Sequence, residues 1–188
     1  MIVTGLVEAV AKEISVAVKD LRLPIEYQTE DEKETVTVWR TPQIFLQYLP
    51  RADFENEVYY PCAIVEWLGT EDTLTGDGVK SVVTIGLSIG TYSYEADAWK
   101  DCFHMTQLIR ARLLAIRTVA NRYRLQSDIE WSTPQDQPLP FFFTYATLPY
   151  EIFQPQEPLP LYRNGVMPDL VTTEPAKVFK ANFSRRVD

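Results

Sequence analysis

The 188 residues carry a formal net charge of −8, from 26 acidic side chains against 18 Lys and Arg. That balance argues against a general nucleic-acid binder, whose surface must neutralise phosphates, and against docking on an anionic membrane. Hydrophobic residues at 46% and aromatics at 12% suffice for one cored domain with an appendage.

The opening MIVTGLVEAVAKEI has no basic leading segment and carries Glu8, Lys12 and Glu13 inside its apolar stretch, so a signal peptide is not expected. No apolar run nears the roughly 20 residues that span a bilayer. Synthesis in a cytoplasm, with no membrane partner, is the expectation. Val3, Val7, Val10, Ile14 and Ala17 recur at spacings of four and three, one face of a helix over about Thr4–Lys19. Thr4 offers an N-cap and Pro24 lies beyond the end.

Ile25–Gln28 and Thr35–Arg40 read as strands of a hairpin whose turn carries Glu30, Asp31, Glu32 and Glu34. Residues 43–51 fit either element. Val58–Leu68, with Tyr59, Tyr60, Ile64, Val65 and Trp67, predicts a strand, and Gly69–Gly78 a polar loop. In Val79–Tyr92, Val83, Ile85, Leu87 and Ile89 alternate with Thr84, Gly86, Ser88 and Gly90. One face of that strand is apolar and the other small, and the glycines permit a close approach or a bend.

Trp99, Cys102, Thr106, Ile109, Leu113, Ile116 and Ala120 predict a helix over Ala96–Asn121, with Trp99 and Phe103 expected to anchor it on a sheet. Arg110, Arg112, Arg117, Arg122 and Arg124 gather toward its C-terminal end, where cations complement the helix dipole. Ile129–Thr133 and Phe141–Phe153 read as the last strands. Residues 154–188 hold five prolines and no sustained period. The chain therefore reads as an α+β domain over 1–153, a mainly antiparallel sheet packed against two helices, followed by an extended proline-rich C-terminal arm over 154–188.

Little in the sequence points to catalysis. His104 is the sole histidine, and two residues from Cys102 on a helix it points about 200° away, which prevents a relay. Cys62 and Cys102 lie far apart in apolar surroundings and are expected as buried thiols. Zinc would need more Cys and His, and Gly76-Asp77-Gly78 matches no phosphate loop and reads as a hairpin turn. The acids at 30–34 do not have calcium-loop spacing. No catalytic residue, cofactor or metal site is expected, and the chain is read as not an enzyme. The arginines have a second reading beside the dipole. Arg110, Arg117, Arg122 and Arg124 could meet Glu30, Asp31, Glu32 and Glu34 of an adjacent copy, which fixes register in a head-to-tail ring.

Three segments together resemble the tail-terminator, or tail-completion, proteins of long-tailed bacteriophages. They are Tyr60-Pro-Cys-Ala-Ile-Val-Glu-Trp-Leu-Gly-Thr-Glu-Asp72, then Val82–Ile109 with Ile89-Gly-Thr-Tyr-Ser-Tyr-Glu-Ala-Asp-Ala-Trp99 leading into the helix, then Ile129-Glu-Trp-Ser-Thr-Pro134 with Pro138–Ile152. The likeness spans roughly residues 1–155, and the stretch 154–188 is longer than the family leads one to expect. The resemblance implies a structural virion protein, a ring of usually six subunits at the neck end of the tail. Such a ring caps the tail tube protein, stops its polymerisation and docks a neck or head-completion protein, and in contractile tails also meets the sheath protein. DNA would only pass through an acidic lumen. The alternatives are a neck, head-completion or tail tube subunit of the same particle, or a small metal-dependent hydrolase.

Overall fold

The computed structural model describes residues 2–28, 35–49, 59–75, 78–95, 97–137 and 139–153. Helix α1 is Ile2–Val18, and strands β1 (Leu23–Gln28), β2 (Thr35–Arg40) and β3 (Gln43–Leu46) follow. Next come β4 (Cys62–Thr75), β5 (Gly78–Tyr92), helix α2 (Trp99–Ile116), β6 (Thr118–Val119), β7 (Tyr123–Leu125), β8 (Glu130–Ser132) and β9 (Phe141–Phe153). The larger sheet runs β3-β4-β5-β9-β7-β6, with β8 also on β9, and among the described residues β1 pairs only with β2. All pairings are antiparallel except β3 with β4. The class is α+β, with a mostly antiparallel sheet and two helices, as the sequence leads one to expect.

The sheet's two faces follow the alternation of its strands. Val83, Ile85, Leu87 and Ile89 of β5 and Leu148 and Tyr150 of β9 are buried against Leu6, Val10 and Ile14 of α1 and Met105, Ile109 and Leu113 of α2. At about 25 cal/mol per Å² of apolar surface removed from water, this contact is the fold's main source of stability. On the opposite face, Ile25, Leu49, Tyr60, Cys62 and Tyr92 form a smaller cluster with Phe45, Phe141 and Phe143 packed on it.

Several expectations are corrected. Helix α1 begins at Ile2, so Thr4 lies inside it and is not its N-cap; burial of Leu6 and Val7 carries the helix back to the chain start. Most of the loop expected at Gly69–Gly78 is strand. β4 runs on to Thr75, paired with β5 down to Thr75 opposite Gly78, and a register shift between Trp67 and Gly69 absorbs the irregularity. β-branched Thr70 and Thr73 suit an exposed strand, and the Ser81 hydroxyl donates across the pair to the Asp72 carboxylate. Within the ambiguous 43–51, Gln43–Leu46 is strand.

Helix α2 is shorter than the periodicity predicts. It stops at Ile116 because Arg117 turns left-handed (φ 52°) while its N–H still bonds the Leu113 carbonyl at 3.0 Å. Trp99 and Phe103 do not anchor it; they are 51% and 52% exposed. The helix comes so close to the sheet at Cys102, whose Sγ lies 3.5 Å from the Phe142 carbonyl oxygen, that large rings fit only beside the seam. The stretch 154–188 lies outside the described residues.

Candidate functional site

Two surfaces stand out, and the first is basic. The left-handed turn at Arg117 feeds directly into the β6–β7 hairpin, whose bend places Ala120 and Asn121 at φ 50° and 52°. Register sets Thr118 opposite Arg124, and the Leu125 N–H donates to the Arg117 carbonyl at 2.7 Å. Arg117 and Arg124 therefore share one recess of about 440 Å³ with Gln126, Ser127 and Glu151. Arg122 lies outside it, its guanidinium 5.7 Å from the centre of the Tyr123 ring. Arg110 lines a separate recess with Gln107, Trp131 and Thr133.

The structure thus brings together two of the four arginines singled out from the sequence and sets the other two apart. Of the arginines read against the dipole, Arg117 stands at the C-cap of α2, while no basic residue occupies its last turn and Arg122 and Arg124 are not on the helix. Arg110, Arg117, Arg122 and Arg124 are all exposed, and among the described residues none of them makes an ion pair. Arg112 differs: it pairs with Glu13 of α1 at 2.8 Å. The acids Glu30, Asp31, Glu32 and Glu34 lie outside the described residues.

The second surface is an aromatic groove of about 580 Å³ on the sheet face away from the helices, lined by Tyr48, Tyr60, Ile64, Phe141, Phe143 and Tyr145. Phe141, Phe143 and Tyr145 point the same way because alternate residues of a strand share a face. Phe143 stacks between the other two, with centroids 6.2 Å and 6.4 Å away. The small face of β5 makes the floor: a Cβ at Gly90 would sit 2.7 Å from Tyr60 Cε1. Polar groups are few, with the Ser88 hydroxyl donating to Glu66 at 3.3 Å. Sequence reading found the small face but not the groove. The signal was present in the alternating rings of Phe141-Phe-Phe-Thr-Tyr145.

Cys62 and Cys102 are free and buried, as expected, and burial, with a smaller Coulombic contribution from Cys102, pushes the Cys62 thiol up to about 12. Burial raises the Cys102 thiol too. Neither supplies thiolate near neutral pH. His104 is exposed while Cys102 is in the core, so the two do not meet. Among the described residues no three His, Cys, Asp or Glu side chains are grouped to hold a metal. No described helix is long and apolar enough to cross a membrane.

Compared with protein-family models, and with curated proteins, the chain shows no match. The arrangement offers two surfaces for contact, one basic and one aromatic.

Proposed function

We propose that this chain is a non-enzymatic assembly subunit of a phage-type tail, located in the virion at the neck. It closes into a ring of about six copies that caps the tail tube, stops its growth and presents a docking face to the neck. The observation that carries the reading is the exposed arginine set, without ion-pair partners among the described residues, in a chain of net charge −8. In this reading a second copy brings the acids of residues 30–34 to that basic face.

An exposed ion pair contributes about 0.2–1 kcal/mol, so these contacts would set register and association rate more than affinity. The apolar area that holds a ring must come from elsewhere on the subunit. The family resemblance supports the same reading. Its Tyr60-Pro61 step leads into β4, its Gly90-Thr-Tyr step is the last part of β5 ahead of α2, and its third segment supplies β8 and most of β9.

The test is light scattering after size exclusion, with negative-stain images, followed by addition of the protein to growing tail tubes. A closed ring that arrests tube growth is the expected result. Arg117→Glu with Arg122→Glu should weaken the ring, and Glu30→Lys with Glu32→Lys in the same chain should restore part of it. Open-ended tubes of the chain itself would make it a tube subunit, and tubes that grow on unchanged would sink the capping role.

A further inference from the structure

The β1–β2 ribbon is a separate two-stranded sheet, in register from Leu23 opposite Arg40 to Gln28 opposite Thr35. Strand β1 is anchored. Leu23 and Ile25 are buried, and the Glu26 carboxylate accepts the Tyr94 N–H at 3.1 Å and the Ser93 hydroxyl at 3.4 Å. Strand β2 is not covered: Val36 is 45% exposed, Val38 37% and Trp39 61%. Among the described residues no strand pairs with its outer edge. A ribbon of two strands is marginal on its own. An open edge of β-branched residues, with no proline and no charge before Arg40, lacks the features that keep edges apart.

We infer that the outer edge of β2 pairs antiparallel with β2 of a second copy about a two-fold axis, giving a four-stranded sheet shared by two chains. The sequence chooses the partner, because Val36-Thr-Val38 is self-complementary. With the axis through Thr37, Val36 of each copy faces Val38 of the other on one side of the sheet, and Thr37 faces itself. Main-chain groups supply the pairing, as in other strand additions. Charge agrees with the direction. Antiparallel pairing brings the chain that joins Gln28 to Thr35, with four acids and one lysine in sequence, to the end of the partner strand that holds Arg40. Arg22, exposed beside Leu23, lies at that same end. This contact does not rest on the ring reading. An isologous pair closes at two copies, whereas a ring needs a contact that continues head to tail.

The full chain is examined by light scattering over a range of concentrations, with hydrogen exchange of the β2 amides at each. The expected result is a species of two chains, or of even multiples, with β2 exchanging more slowly as concentration rises. Val36→Thr with Val38→Thr keeps strand preference and should weaken association about tenfold, two cross-strand apolar pairs being lost. Val38→Lys puts a charge opposite Val36 of the other copy and two like charges on the diagonal across the axis, and should abolish the pair. Unchanged thermal melts of both variants show the hairpin retained. A chain that stays single throughout, or oligomers whose mass and β2 exchange ignore both variants, overturns the inference. A six-copy ring with β2 exchanging freely overturns the pairing and leaves the ring reading standing.

Discussion

Arg112 of α2 reaches Glu13 of α1 with two donors on one carboxylate oxygen, Nε at 3.0 Å and Nη2 at 2.8 Å. The pair ties together two helices that otherwise meet through apolar side chains, and both partners are only part-exposed, at 41% and 21%. Arg112→Ala should therefore cost about 1 kcal/mol in chemical denaturation, above a typical exposed pair and below a buried one. Arg110→Ala, exposed and without an ion pair among the described residues, should stay within about 0.5 kcal/mol. Equal losses for the two would mean that the ion pair contributes nothing.

Gly90 and Gly86 occupy the same face of β5 but differ in what surrounds them. A Cβ at Gly90 meets the buried Tyr60 ring at 2.7 Å and the Phe143 ring at 3.0 Å. At Gly86 the neighbours are Glu66 Cγ at 2.9 Å and the Leu68 side chain at 3.0 Å, flexible groups near solvent. Gly90→Ala should cost about 1–3 kcal/mol, because rings packed against one another cannot retreat. Gly86→Ala should cost less than half as much, read as a shift in denaturation midpoint at unchanged slope.

The contrast marks what was legible in the sequence. Alternation in Val83–Ile89 and the three-four spacing from Cys102 to Leu113 gave the strand, the helix and their packed faces, because burial on one side imposes a period. The end of α2 was not legible. Arg117 carries no glycine or asparagine signal for its left-handed turn, and Ile116 and Ala120 continue the apolar spacing past the true stop. The strand through Thr70–Thr75 was hidden for the opposite reason. Its Gly69 and acids read as loop locally, while pairing of Thr70–Thr75 with six positions of β5, Val83 to Gly78, decides the conformation. Of the basic surface, the four arginines were legible as residues. The shared recess of Arg117 and Arg124 depends on a hairpin that two- and three-residue strands announce too weakly.

Spacing also misplaced the anchors of α2, and substitution should separate the rings from the true seam. Met105 is fully buried, while Phe103 is half-exposed. Met105→Ala should cost about 2–5 kcal/mol through the cavity it leaves. Phe103→Ala should cost about 1 kcal/mol or less, although phenylalanine is the larger side chain. A larger loss at Phe103 would restore it as an anchor and contradict the packing described for Cys102.

The two thiols make the last prediction, and its sign follows from burial. Cys62 titrates near 12 in the fold against an ordinary 9.0, and burial moves Cys102, Tyr60 and Tyr150 upward as well. The folded state holds these protons more tightly than the unfolded chain, so stability falls wherever the unfolded chain loses them first. The Cys62 contribution is complete below pH 9.0 and is lost as pH rises from there toward about 12. Denaturation midpoints should fall steadily across that window, and less steeply in Cys62→Ala. At about pH 8 a thiol reagent should modify neither cysteine in the folded protein and both in denaturant. Rapid labelling of the native protein would show that Cys62 opens to solvent from the floor of the aromatic groove, and that the groove is looser than its ring packing indicates.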